Sequence, residues 1–270
     1  MRPFDYRRED LTSALAALPL ERGDVLFCHS NLGFFGRMGG IWGADALCRV
    51  FLEEMLARVA PGGTLLVPTF TYSFPRGEIF DPRATPSNMG MFSEWVRQRP
   101  NAIRSRDPCY SVAAIGADAE RLVYNVSTNS FDDDSFFGRF SSRDGKILNL
   151  NFDAGSTFVH FVERKLNVPY RFDKTFPGVV RENGVDLSAS STIWVRYLSD
   201  DSLEAAFEAF DEEARAEGLF VAMPLGRGQL GAISAQATTG LIARTIFRRP
   251  WFLTKAEKLG ISTPIIVPER

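Results

Sequence analysis

Two apolar runs with a glycine-rich loop and a helical stretch between them limit the fold of this chain more than any other pattern. A strand with one face in water alternates polar and apolar residues, and neither Val25-Leu26-Phe27-Cys28 nor Thr64-Leu65-Leu66-Val67-Pro68 does so. Both read as strands buried on both faces, as central parallel strands are. The segment between them opens with the loop 29–40, continues as a helix from Ala44 to Val59, and closes on Pro61-Gly62-Gly63. Strand, loop, helix and strand in that order make a parallel βαβ crossover of right-handed sense. The predicted fold class is therefore α/β, with a mostly parallel central sheet flanked by helices.

The remaining elements follow from the same periodicities. Leu11, Leu15 and Leu18 share a face of a helix over 8–19. A second helix is expected near 89–97, capped by Ser87 or Asn88. Strands are expected at 111–115 and 146–152, a charged amphipathic helix at 202–217, strands at 219–223 and 229–233 around the turn Leu225-Gly226-Arg227-Gly228, and a helix at 235–247. Asn183-Gly184 lies between the apolar 178–180 and the strand-like 192–197, which predicts a β-hairpin. The C-terminal half thus adds an antiparallel portion, a hairpin-containing insertion at about 171–200 in a single domain spanning 1–270. There is no internal repeat and no low-complexity linker.

Composition narrows the function by exclusion. With 24% charged residues and a formal charge of −2, the chain has no electrostatic reason to bind nucleic acid. Arg248-Arg249 beside Trp251 reads as an exposed helix end, and Phe131-Asp132-Asp133-Asp134 as a solvated loop. Three cysteines, Cys28, Cys48 and Cys109, are odd in number and have no Cys-x-x-Cys spacing, so neither a disulfide framework nor a metal site is expected, and a reducing cytoplasm fits. No run approaches the roughly 18 apolar residues of a spanning helix. The stretch Met1 to Arg8 has no apolar signal core, so a soluble, unexported protein with no membrane partner is expected.

The chemistry is placed at Gly155-Ser156-Thr157-Phe158-Val159-His160-Phe161-Val162-Glu163-Arg164. Residues three apart on a helix are neighbours, so Glu163 can take one ring nitrogen of His160 and leave the other as a base. Structurally, the same spacing makes only a satisfied core pair. The position at the carboxyl end of the 146–152 strand favours the site, because open α/β sheets bind ligands there. Loop 29–40 admits two readings, a cradle whose backbone N–H groups meet a phosphate, or a tight turn. Its spacing matches neither Gly-x-Gly-x-x-Gly nor the lysine-bearing phosphate loop. Thr69, Thr71 and Tyr72 leave the second strand either as a pocket lining or as a loop pinned by aromatic packing.

Taken together, these runs resemble the antibiotic N-acetyltransferase family, best known for the aminoglycoside 3-N-acetyltransferases. The resemblance rests on Gly23-Asp24 to His29-Ser30-Asn31-Leu32 with Gly36 and Gly39-Gly40, on 63–71, on Phe80-Asp81-Pro82, Met89-Gly90, Arg104-Ser105, Pro108, Ser111, Ala113-Ala114 and Gly116, and on Thr157, His160 and Glu163. It covers roughly 20–170. It implies an enzyme that acetylates a primary amine of an amino sugar with acetyl-CoA as co-substrate and no metal, by direct transfer. His160 would be the general base and Glu163 its orienting partner. His29, Ser30, Asn31, Leu32, Gly36, Gly39, Gly40, Arg104 and Ser105 would hold the CoA arm, while Thr69, Thr71, Tyr72, Asp107 and Ser111 would meet the acceptor. Asp107 stands where the family's Arg-Ser run continues to a histidine before proline, which changes charge and hydrogen-bonding role. A nucleotide-linked sugar of surface-polysaccharide biosynthesis is therefore the preferred acceptor. The alternatives are an aminoglycoside, a serine hydrolase lacking the Gly-x-Ser-x-Gly elbow, and a non-catalytic carbohydrate-binding protein. A homodimer stays open.

Overall fold

The computed structural model describes residues 4–268; of the N-terminal stretch discussed above, Met1, Arg2 and Pro3 lie outside the described residues. Among the described residues nine strands follow in chain order: β1 (Val25–Ser30), β2 (Thr64–Pro68), β3 (Ile103–Arg104), β4 (Val112–Gly116), β5 (Lys146–Leu150), β6 (Arg171–Glu182), β7 (Val185–Arg196), β8 (Val221–Leu225) and β9 (Gly228–Ser234). The helices are α1 (Arg8–Ala16), α2 (Ala44–Val59), α3 (Met91–Arg97), α4 (Ala119–Val123), α5 (Phe136–Ser142), α6 (Phe158–Lys165), α7 (Glu208–Ala216), α8 (Ala235–Ile246) and α9 (Lys255–Leu259).

Seven strands form one sheet in the order β3-β4-β2-β1-β5-β9-β8. The β1-α2-β2 crossover is parallel as expected, and β5 joins β1 in parallel on its other side. The sheet as a whole corrects the expectation of a mostly parallel one, because β2–β4, β3–β4, β5–β9 and β8–β9 are all antiparallel. The reason is burial. Val25, Phe27, Leu66, Ala114 and Ile147 face a core with α5, α6 and α8, while Leu26, Cys28, Leu65, Ala113 and Leu148 face a second core with α1, α2 and α3. A strand covered on both faces reads as an unbroken apolar run whichever way its neighbour points.

Segment 202–217 is helical only from Glu208, after a short turn at Asp201–Leu203; between them Glu204 is extended and Ala205 bridges Thr254. Helix α3 starts after Gly90, and the Ser87 hydroxyl instead accepts the Met89 N–H at 3.0 Å. The predicted hairpin is β6–β7, twelve residues a side, turning on Asn183 (φ 50°) and Gly184 (φ 80°) as a two-residue loop of this type requires. It docks on the main body through bridges at Phe80–Val180 and Asn129–Thr192 and through a small core of Phe74, Phe80, Cys109, Val180 and Ile193. All three cysteines are buried thiols; burial pushes Cys48 up to about 11 and Cys109 up to about 12. Among the described residues, no helix is long and apolar enough to cross a membrane.

Phe27 stands at the centre of the first core, edge-on to Phe136, Phe137 and Phe140 at ring separations of 5.0, 5.8 and 5.8 Å. Removing a fully buried ring loses both its transfer free energy and its contacts. Phe27→Ala is expected to lower the unfolding free energy by about 3–5 kcal/mol in guanidinium titration, and a loss below about 1 kcal/mol would mean that the surrounding rings collapse into the gap.

Candidate active site

The site is assembled where β1 and β5 end side by side. His29 and Asn149 face each other in the parallel register. Asn149, fully buried, donates from Nδ2 to the carbonyls of Asp153 and Gly155, the latter at 3.1 Å. That amide fixes the turn leading into α6. Asn151, at φ 64°, donates to the Asn31 carbonyl at 2.9 Å and accepts from Gln229 N–H at 3.1 Å, which ties the ends of β1, β5 and β9 together. Phe207 fits against Gly155, where a Cβ would lie 2.5 Å from its ring, so this glycine permits the contact.

Helix α6 puts His160 and Glu163 together, with His160 Nδ1 2.6 Å from Glu163 Oε2. Two groups absent from the sequence reading complete the arrangement. Tyr170 Oη donates to Glu163 Oε1 at 2.8 Å. Arg171 Nε lies 2.9 Å from Oε2 as an ion pair whose angle falls short of a hydrogen bond. Glu163 is wholly buried, and burial alone would raise its pKa; Arg171, His160 and Tyr170 outweigh that and hold the carboxyl below its ordinary value. An ionised carboxylate accepts only, so His160 Nδ1 carries the proton and donates it, leaving Nε2 bare. Burial first, and Arg171 second, lower the His160 pKa against the pull of Glu163, which keeps the ring neutral at pH 7. Phe131 and Phe207 flank the imidazole, each 6.1 Å away between ring centres. Among the described residues, no serine or cysteine side chain hydrogen-bonds to His160, which disfavours the hydrolase alternative.

Two clefts lie beside this pair, although neither His160 nor Glu163 is among the lining residues of either. The first, about 590 Å³, is lined by His29, Phe152, Ser156, Thr157, Phe207 and Lys255 among others. The second, about 410 Å³, lies on the hairpin side and is lined by Tyr110, Arg171, Lys174, Trp194, Arg196 and Glu204 among others. Ala205 lines both. Phe207 of the first touches His160, and Arg171 of the second touches Glu163. Around the first cleft, both ring nitrogens of His29, Ser30 Oγ, Asn149 Oδ1 and Ser156 Oγ are buried without a partner. Burial lowers the His29 pKa to about 4.

The other candidates fall elsewhere. Gly36, Gly39 and Gly40 line a separate concavity of about 440 Å³ with Phe4, Trp42 and Met91. Their loop favours the tight-turn reading, because its donors are used internally. Gly39 N–H goes to Tyr6 O at 2.8 Å, Gly36 N–H to Gly33 O at 3.3 Å, and Arg37 N–H to the Asp5 carboxylate at 2.7 Å. Asn31 precedes the turn Leu32–Phe35, and Leu32 is buried in the second core.

Arg104, Thr69 and Ser111 satisfy one another. Arg104 donates to Thr69 O at 2.8 Å, to the hydroxyls of Thr69 and Ser111 at 3.2 Å each, and to Pro82 and Thr85 carbonyls. Thr71 Oγ1 donates to Pro108 O at 2.7 Å, and Ser105 Oγ accepts from Val112 N–H at 3.0 Å. Thr69, Thr71, Ser105 and Ser111 are buried and brace one another, while Arg104 is half-buried and lines a further cleft of about 620 Å³ with Arg97, Arg106, Tyr124 and Glu182 among others. Asp107 Oδ1 accepts the N–H groups of Cys109 and Tyr110 at 2.8 and 2.9 Å, holding the turn that presents Tyr110 to the hairpin cleft; Tyr72, at φ 54°, packs on Tyr110 at 5.3 Å. Tyr110, Arg171, Trp194 and Phe207 escaped the sequence reading because no local spacing points from them to His160.

Comparison with known proteins agrees with this architecture. A family model described as aminoglycoside 3-N-acetyltransferase matches residues 27–246. The aminoglycoside N(3)-acetyltransferase IV of a Salmonella species is 28% identical over 233 residues, covering 83% of this chain and 80% of that one. The solved structure of AAC-IIIb in a binary complex with CoASH superposes with a TM-score of 0.76 at 21% identity, over 90% of this chain and 97% of that one. Sisomicin-bound AAC-VIa superposes with a TM-score of 0.73 at 21% identity, over 90% and 98%. The chain belongs to the aminoglycoside 3-N-acetyltransferase family and is an acetyl-CoA-dependent N-acetyltransferase.

Proposed function

We propose that the protein transfers an acetyl group from acetyl-CoA directly to a primary amine of an amino sugar, with His160 as the general base. The observation that carries this is the buried Glu163 carboxylate, which fixes the His160 tautomer so that Nε2 is bare, with a cleft on each side of the pair. When bound, acetyl-CoA supplies the acetyl group as an activated thioester. The first cleft suits its arm: apolar walls from Phe152 and Phe207 with His29, Ser156 and Thr157 as polar lining. The acceptor enters from the hairpin side. As its nitrogen attacks the thioester carbonyl, His160 Nε2 takes the proton and Glu163 stabilises the imidazolium through Nδ1–H; the C–S bond then breaks, and CoA leaves as the thiol with the proton returned from His160. Phe131 and Phe207 pack on the ring and leave its side chain 15% exposed, which limits the water around it. The relatives' names favour an aminoglycoside acceptor over the nucleotide-linked sugar preferred on the sequence.

His160→Ala removes the base without uncovering a buried charge. It is expected to stay folded, bind CoA, and lose about two to four orders of magnitude in single-turnover transfer; a full rate in the folded variant ends the general-base assignment. Glu163→Gln differs because it leaves Arg171, with a side chain only 7% exposed, without its counter-charge. A broken buried pair costs about 3–5 kcal/mol. Denaturation should therefore show a large stability loss for Glu163→Gln and a small one for His160→Ala, and equal losses would mean that Glu163 serves only the histidine.

The titrations have a fixed sign. Glu163 and His160 both have folded pKa values below their unfolded ones, so their contribution to stability is complete above the ordinary histidine pKa of about 6.5 and is lost as pH falls through the folded values. The acid limb of kcat/KM is expected to lie below pH 6.5, and a limb at or above 7 would contradict a base kept neutral by burial.

A further inference from the structure

Acyl transfer passes through a tetrahedral adduct whose carbonyl oxygen becomes an anion, and that oxygen needs a hydrogen-bond donor in place before the reaction starts. The hydroxyls of Thr69, Thr71 and Ser111 are committed to one another, to Arg104 and to backbone carbonyls. Two other hydroxyl residues, Ser156 and Thr157, line the first cleft, and of these Ser156 is buried and Thr157 half-buried. Thr157 stands directly before α6, where a threonine ordinarily caps the helix. It does not do so here, because its backbone is already helical at φ −60° and ψ −21° and its Oγ1 accepts nothing from the first turn. Among the described residues that hydroxyl has no hydrogen-bond partner, so neither a cap nor a buried network accounts for it. The helix fixes its place relative to the base. Three residues separate Thr157 from His160, the spacing that makes side chains neighbours on one face, and the His160 N–H donates to the Thr157 carbonyl at 3.1 Å. A helical side chain leans toward the N-terminus, so the imidazole lies over the turn that Thr157 begins. Glu163, one turn further on, holds Nδ1, which directs Nε2 away from the carboxylate. Phe207 joins the two residues: it lines the first cleft with Thr157 and packs on the His160 ring. The first turn of α6 carries no acidic side chain, so its dipole favours negative charge at this end.

Resting on the acetyl-transfer reading above, we infer that Thr157 is a catalytic residue whose Oγ1–H stabilises the oxyanion of the tetrahedral adduct. The amine nitrogen bonds to the thioester carbon, the carbonyl π pair moves onto oxygen, and Thr157 donates its hydrogen bond there while His160 Nε2 holds the proton taken from the amine. As the pair returns to re-form the carbonyl, the C–S bond breaks and the CoA sulfur receives that proton from His160. Thr157 exchanges no proton. Its contribution belongs to the transition state and therefore to kcat rather than to binding.

The test compares the intact protein with Thr157→Val, which keeps the shape and removes the hydroxyl, and Thr157→Ser, which keeps the hydroxyl. Each is given acetyl-CoA and the fastest amine of a panel that includes sisomicin and glucosamine. Thr157→Val is expected to hold its melting temperature and its CoA affinity and to lose about two to three orders of magnitude in single-turnover transfer, the worth of one oxyanion donor. Thr157→Ser should stay within about one order of magnitude of the parent. The acid limb of kcat/KM, set by His160, should not move in Thr157→Val. Trifluoroacetonyl-CoA, whose hydrated ketone carries the tetrahedral carbon of the adduct, should bind Thr157→Val roughly tenfold or more weakly than it binds the parent, while CoA binds both alike. Thr157→Ala serves the same comparison if Thr157→Val does not fold. A parent rate in folded Thr157→Val or Thr157→Ala, a Thr157→Ser that falls as far as either, or a loss confined to KM or to melting temperature overturns the inference and leaves acetyl transfer standing. A parent protein that binds CoA and acetylates no amine of the panel overturns the transfer reading as well.

Discussion

A carboxylate with no access to water, Glu163, is the group on which both the site and the C-terminal half depend. Helix α6 supplies it, and Tyr170 and Arg171, at the point where the chain enters the hairpin, neutralise and hydrogen-bond it. Its own backbone carbonyl also accepts from Val168 N–H at 3.2 Å, so the turn between helix and hairpin closes on the same residue. Burying a charge carries a desolvation cost that a single partner rarely offsets, and a pair of apolar residues would often be more stable there. What the ionised pair supplies instead is direction. It sets which nitrogen of His160 is protonated, and it locks the hairpin that forms one wall of the neighbouring cleft to the helix that carries His160.

Much of the fold was legible because periodicity reports burial. The β1-α2-β2 crossover, the Asn183-Gly184 hairpin and the helix at 235–247 follow from patterns that depend only on which residues avoid water or on which backbone angles a turn needs. Strand direction was not legible, since Leu65-Leu66-Val67 is covered on both faces and reads the same beside parallel β1 as beside antiparallel β4. In the site, the i, i+3 geometry made His160 and Glu163 visible. Arg171 and Trp194 come from a hairpin whose docking is set by Phe80, Val180 and Ile193, a tertiary contact that no local spacing encodes.

The polar runs that carry the family resemblance have a structural role that the sequence reading did not describe. Arg104, half-buried beneath the loops that follow β2, donates to the carbonyls of Thr69, Pro82 and Thr85, the first of which also accepts from the Ser111 hydroxyl at 2.7 Å. A guanidinium with five donors suits that task, and Thr69 and Ser111 complete it. The glycine loop is likewise organised by its own chain, since Asp5 accepts from Arg37 N–H and also pairs with Arg227 at 2.9 Å. Such groups make a motif recognisable because they fix backbone, and fixed backbone is what places Tyr110 and His29 at the clefts.

The two histidines show why burial alone does not make a base. Both are pushed towards the neutral form by desolvation, and His29, with only Asn149 beside it, falls to about 4. A nitrogen that holds its proton so weakly gains little by removing one from an amine at neutral pH, because proton transfer is most effective when the acceptor's pKa lies near the working pH. His160 experiences the same desolvation, with Arg171 adding to it, but Glu163 opposes both through charge and through the 2.6 Å hydrogen bond. That opposition restores proton affinity at Nε2 while burial still keeps the ring unprotonated before the acceptor arrives. In our reading the division of labour follows from it: His160 moves the proton, and His29, without a carboxylate, can act only as a polar contact in the neighbouring cleft.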